Sequence, residues 1–194
     1  MWLRRKPSAD VIRAFLARVG DAPFSYDEVG ASRGDARRPP RGYQFDHNRR
    51  RLGQGRAAFD AACEALRRWE MFQLGWVEPG DPAAPLTPHT SVAVLARAFG
   101  LWSLNACRIV YAIDQATPIR TFGFAYGTLP DHAERGEERF TIEWREDDGV
   151  WYDLRAFSRP NRWYTWVGYP IVRRLQKRFA ADSLDAMARA VAKS

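Results

Sequence analysis

Between residues 91 and 158 the side chains alternate with a period of two, in five runs whose short connectors favour antiparallel pairing. The runs are SVAVLARAF (91–99), LNACRIVYAID (104–114), IRTFGFAYGT (119–128), EERFTIEWRE (137–146) and GVWYDLRAFS (149–158). MFQLGWVE (71–78) adds a sixth strand, and FSYDEVG (24–30), with Phe24 and Tyr26 alternating, a first. A helical segment ends the chain: Pro170 suits a first turn, and Ile171, Val172, Leu175, Phe179, Leu184, Met187 and Val191 run down one side. Arg173, Arg174, Lys177 and Arg178 make its other side basic. A single antiparallel sheet of this length curls, and its concave face must be covered. The expected class is therefore α+β: a curved antiparallel sheet of about seven strands wrapped around a long C-terminal helix.

The remaining segments complete a single domain over 1–194. Residues 1–22 are a helical extension in which Ser8 caps a helix over 8–19 and Val11, Ile12, Phe15, Leu16 and Val19 form the apolar stripe. Residues 24–158 carry the sheet, with an inserted loop and helix at 31–70, and 165–192 form the C-terminal helix. Within the insert, 31–55 is rich in Gly, Pro and Arg, lacks a period and reads as a loop. Residues 56–69 read as a helix with Phe59, Ala62, Cys63, Leu66 and Trp69 on one side.

Composition narrows the function classes. Aromatic residues make up 13% and Trp alone numbers 8, enough large rings to line either a core or an apolar pocket. The net charge of +7 comes almost wholly from Arg, since Lys6, Lys177 and Lys193 are the only lysines. Compositional bias accounts for this more simply than attraction to phosphates does. Cys63 and Cys107 make no disulfide framework, which suits a reducing compartment. Arg13 and Arg18 interrupt the apolar run of the N-terminus, so it is not read as a signal peptide, and no uncharged run reaches membrane-spanning length. The expected location is cytoplasmic.

The densest chemistry is in FGFAYGTLPDHAERGEERFTIEW, residues 122–144. His132 and Glu134 are catalytic candidates, as acid–base groups in a pocket that raises a carboxyl pKa. The opposing reading is a charged connection between two strands, its backbone relieved by Gly127 and Gly136. Neither H-E-x-x-H nor the downstream P-C-x-x-C of the zinc deaminases is present, so no metal is expected, and no cofactor. His47, in FDHNRR, is a third proton-carrier candidate if a carboxylate partners it. Arg49, Arg50 and Arg51 precede Gly53-x-Gly55 at a helix start, an arrangement able to hold an anion. Cavity-lining candidates come from strand alternation: Asn105 and Tyr111 on one run, Arg108 on its opposite face, Phe122, Phe124 and Tyr126 on the next, and Arg155 on the last. One bulge would invert any of these faces.

This order of elements resembles the helix-grip fold of the birch-pollen-allergen and START-like superfamily. That resemblance implies a hydrophobic ligand cavity between sheet and helix. More closely, RGYQFDHNRRRLGQGRAAFDAACEALRRWEMFQLGW, VAVLARAFGLWSLNACRIVYAID, FGFAYGTLPDHAERGEERFTIEW and GYPIVRRLQKRFAADS resemble the DUF1990 (UPF0548) family. Asp131 stands where that family's pattern has Gly. The resemblance implies no catalytic residues. Three functions follow in order: binding of a hydrophobic small molecule or lipid, an enzyme on the same fold using His, Glu and Tyr, and an anion or nucleic-acid interaction through the Arg-rich loop.

Overall fold

The computed structural model describes residues 1–19, 21–34, 39–161 and 169–193. Among these residues eight strands form one antiparallel sheet: β1 (Trp2–Leu3), β2 (Gln44–Gln54), β3 (Val77–Pro79), β4 (Ser91–Ala98), β5 (Leu101–Gln115), β6 (Arg120–Thr128), β7 (Glu134–Trp144) and β8 (Gly149–Pro160). Their order is β2-β8-β7-β6-β5-β4-β3, and β1 pairs with β5 at Ser103 and Trp102, beyond the end of β6. Among the described residues three α-helices pack on this sheet: α1 (Ala9–Val19), α2 (Gly55–Arg67) and α3 (Tyr169–Ala192). The expected curved sheet around a C-terminal helix, with an extra N-terminal helix, is what the chain forms.

The sheet is covered on both faces. On the concave side, Phe124, Phe140, Ile142, Tyr152 and Leu154 join Phe59, Cys63 and Leu66 of α2 and Met187 of α3 in the main core. The Tyr152 hydroxyl meets Ser183 Oγ at 3.0 Å, which fixes the middle of α3 against β8. On the convex side, Ile12, Phe15 and Val19 of α1 pack on Ala93, Leu95, Leu104 and Ala106. Tyr26, Tyr43 and Phe157 make a third cluster there.

Several expectations change. FSYDEVG is not a strand; it crosses the convex face, where Tyr26 is buried and Ser25 N donates to Thr128 O. The expected loop over 31–55 contains the strand β2, paired along its length with β8. Its side chains are polar on both faces (Asp46, Asn48 and Arg50 against His47 and Arg49), so it carries no apolar alternation to find. Of 71–78 only Val77 and Glu78 are strand, the start of β3. The chain turns at Trp69, whose φ is 56°, and a 3-10 turn over Glu70–Phe72 buries Met71 and Phe72 in the core. Residues 165–168 of the expected C-terminal helix lie outside the described residues.

Candidate functional site

The C-terminal half of α3 lies flat on the core, but its N-terminal half stands off the sheet. Between them is a cavity of about 730 Å³. Phe72, Trp76, Val94, Leu154, Leu175 and Phe179 supply apolar wall, and Tyr126, Glu134, Glu138, Asn105, Ser103 and Gln176 are among the polar groups. Small residues make the space: Ala96, Ala156 and Ala180 also border it.

β7 supplies two carboxyl groups to the cavity. Glu134 and Glu138 are four residues apart on one face of this strand, while Glu137 between them points the other way. Glu138 Oε2 accepts from the Tyr126 hydroxyl at 2.7 Å across the β6–β7 pair. Glu134 Oε2 accepts from Gln176 Nε2 at 2.6 Å, and its Oε1 is buried without a partner. Burial pushes both carboxyls up to about 7, against the lowering effect of Gln176 on Glu134 and of Tyr126 on Glu138. His132 lies in the β6–β7 turn, where its Nδ1 accepts from Glu134 N at 3.1 Å. Burial lowers it to about 4, so it is neutral at pH 7. At the rim, Arg173 grips Asp46 with two bonds of 2.6 and 2.7 Å, and Arg18 pairs with Asp131 at 2.6 Å.

Of the residues expected to line a cavity, Asn105 and Tyr126 do. Phe124 shares their face but is sealed in the core between Trp69 and Phe140, and Phe122 lies further along, under the Arg67 guanidinium. A bulge at Val110 turns Tyr111 to the convex face, where it meets Ser32 and Arg33. Arg108 reaches Ala22 O at 2.7 Å, beside Phe24, and Arg155 pairs with Asp153 at 2.7 Å on the convex face.

The proton-carrier and anion candidates divide in the same way. His132 and Glu134 border the cavity, whereas His47 bonds the fully buried Asp153 at 2.6 Å on the convex face. Arg49, Arg50 and Arg51 do not converge, because they alternate along a strand. Arg50 pairs with Asp185 of α3, Arg49 stacks on Trp151, and Arg51 reaches Gln54. The N–H of Gly55 donates to Asp148 O at 2.9 Å, which removes the first donor of the α2 terminus from any anion. Gly127 and Gly136 lie in strands rather than in the turn, at close approaches: an added Cβ would meet the Tyr26 hydroxyl at 2.1 Å and Phe157 O at 1.9 Å. The Cys63 thiol is raised by burial to about 12 and Cys107 is raised as well, so both are packing residues. Among the described residues no group of three His, Cys, Asp or Glu side chains could hold a metal ion. Among them, too, no helix is long and apolar enough to cross a membrane. Of the neighbouring acids that the sequence offers as acid–base groups beside Glu134, Glu138 turns its carboxyl to the cavity, two residues from Phe140 on the same face, and Glu137 turns its carboxyl away.

A sheet gripping one long helix, with space left between them, is the helix-grip, START-like fold. The fold is shared with TTHA0849 of Thermus thermophilus (TM-score 0.54, 12% identical, covering 77% of this chain and 98% of that one). It is shared also with human STARD10 (TM-score 0.51, 11% identical, 97% and 81%) and with the ZhuI aromatase/cyclase of Streptomyces sp. R1128 (TM-score 0.51, 10% identical, 77% and 95%). The chain belongs to the family described as "Domain of unknown function (DUF1990)", whose pattern matches residues 25–186. It is 37% identical to a UPF0548 protein of Deinococcus radiodurans, over 98% of both chains. A UPF0548 protein of Dictyostelium discoideum is 35% identical, over 98% of this chain and 96% of that one.

Proposed function

We propose that this protein binds an apolar small molecule or lipid in the cavity between the sheet and α3. The observation that carries this reading is the cavity itself: about 730 Å³, with Phe72, Trp76, Val94, Leu154, Leu175 and Phe179 as apolar wall and polar side chains such as Asn105, Tyr126, Glu134 and Glu138 set among them. That size and that division of chemistry are those of small-molecule sites. The aromatic content noted in the sequence is consistent with it, since Phe72, Trp76 and Phe179 stand in the wall. The test is to denature purified protein and identify what it releases by mass spectrometry, beside A156F, which places a ring in the cavity. A species released by the wild type and absent from A156F supports the reading. No species, together with no uptake of apolar probes by the wild type, overturns it.

A second reading, an enzyme on the same fold, is favoured by one observation. Tyr126, Glu134 and Glu138 border one cavity, with both carboxyls near the pH at which acid–base groups exchange protons. If E138Q releases a species of different mass from that released by the wild type, the cavity transforms its ligand. An identical species leaves binding as the function.

A further inference from the structure

The two carboxyl groups of the cavity are unlike the other acids at its rim. Asp46 is spent on Arg173 and Asp131 on Arg18. Among the described residues, Glu134 and Glu138 have no cationic side chain within ion-pair distance: their side-chain bonds are to the neutral groups Gln176 and Tyr126. Each has acceptor capacity left. Glu134 Oε1 is buried without a partner, and Glu138 commits only Oε2. A cavity with apolar wall and unspent carboxyl acceptors is half of a charge pair.

We propose that the ligand of this cavity carries a protonated amine on an apolar body, with the amine held by Glu138 and Glu134. The proposal rests on the cavity reading above and names the chemistry that its carboxyl groups recognise. A hydrocarbon chain would lie against Trp76, Val94, Leu154 and Phe179, and an ammonium at the β7 wall would supply the donors that these carboxyls lack.

The other groups facing this wall do not remove the preference. From β6, β8 and β5, Tyr126, Tyr152 and Cys107 are all raised by burial and stay neutral. From β2, Asp46 adds negative charge that opposes ionisation of both glutamates. From the turn, His132 is neutral at pH 7, and the nearby Met1 amino group, bonded to Leu104 O, lowers it further. From α3, Arg173 favours the Glu134 carboxylate and Gln176 is neutral, while Lys177 stands at the rim. The cavity wall is thus acidic with its protons retained, and an incoming ammonium converts one carboxyl of the pair to a carboxylate. Binding of such a ligand releases about one proton from the Glu138 and Glu134 pair, since one ammonium balances one carboxylate.

Isothermal titration with three ligands of equal chain length tests this: decylamine, 1-decanol and decanoate, each at pH 6 and pH 8. Decylamine should bind the wild type about tenfold or more tightly than decanol at pH 8, and decanoate most weakly, for a cation gains from a desolvated carboxylate what an anion loses. Decylamine affinity should rise about tenfold from pH 6 to pH 8, as a carboxyl near 7 becomes available without a proton to displace. E138Q, nearly isosteric with the protonated acid, should keep decanol binding and lose most of the amine advantage, and E134Q should lose part of it. A decanoate or decanol affinity equal to that of decylamine at pH 8 overturns the proposal while leaving the cavity reading intact, as does full amine preference in both variants. Amine binding that survives in A156F lies outside the cavity and also overturns it. Failure of all three ligands to bind overturns the cavity reading as well.

Discussion

Tyr126 and Glu138 face each other across β6 and β7, hydroxyl to carboxylate oxygen, at 2.7 Å. Two residues back on the same strand, Phe124 is sealed among rings; at Tyr126 the same face opens onto the cavity. The bond lowers Glu138, against the larger raising effect of burial. Y126F removes the donor and keeps the ring. The Glu138 carboxyl should then titrate above its wild-type value of about 7, as read by ¹³C-carboxyl NMR. An unchanged midpoint would show that the hydroxyl does not reach the carboxyl in solution.

Stability should depend on pH with a definite sign. Glu134 and Glu138 are raised to about 7 in the folded chain from an ordinary 4.5. The folded state therefore holds protons that the unfolded state has released. Their contribution is complete below about 4.5 and is lost as pH rises through 7. His132, lowered to about 4, works the other way: its contribution is complete above 6.5 and is lost as pH falls through 4. Two carboxyls outweigh one imidazole, so urea-unfolding free energy should fall between pH 5 and pH 8. E138Q cannot ionise and should exceed the wild type by about 2 kcal/mol at pH 8 while matching it near pH 5. Parallel curves for the two proteins would show that Glu138 is charged throughout.

How much of this was legible in the sequence depends on where an apolar period existed. β4, β5, β6 and β8 carry buried apolar residues at alternate positions, and α3 carries a 3.6-residue stripe; all are recoverable from pattern. β2 shows no such alternation, because one face meets the Asp153 and Glu143 carboxylates and the other meets α3 through Arg50 and Asp46. Pairing with β8, not side-chain burial, makes it a strand. The cavity wall was half legible for a related reason. Asn105 and Tyr126 precede any irregularity on their strands, but Tyr111 follows the bulge at Val110, and alternation cannot be carried across a bulge. Glu137 and Glu138 are neighbours of one type with opposite roles. Only the register of β7 separates the one whose carboxylate holds Gly30 and Ser32 backbone from the one whose carboxyl meets Tyr126 at the cavity.

His47 should matter to stability and not to the cavity. Its Nε2 bonds Asp153 Oδ2 at 2.6 Å, and Asp153 is wholly buried beneath the convex face, with Arg155 on its other oxygen. H47A leaves one oxygen of a buried carboxylate without its partner. It should cost about 1 to 3 kcal/mol in urea unfolding at pH 7. Release of the bound species, measured by mass spectrometry, should match the wild type. Loss of that species at unchanged stability would move the functional site to the convex face.

Gly127 joins the two faces. It lies on β6 between Tyr126, which reaches into the cavity, and Thr128, which holds Gly136 N at 3.0 Å. On its own side the Tyr26 ring crosses directly over it, and Tyr26 donates its hydroxyl to Glu137 at 2.7 Å. A methyl group at Gly127 would stand 2.1 Å from that hydroxyl and 2.9 Å from the ring edges of Tyr26 and Phe24. Tyr26 must then move, and Glu137 loses a donor in a site that is 2% exposed. G127A should destabilise by about 2 to 3 kcal/mol. In Y26F the nearest atom is gone, so adding G127A to it should cost less than in the wild type, although the ring-edge contacts keep the cost above zero. A double-mutant cycle in urea reads the difference as a coupling energy of about 1 kcal/mol. Strict additivity of the two substitutions would mean that the Tyr26 ring does not rest on Gly127 in solution, and that the 24–34 segment covers the convex face by some other contact.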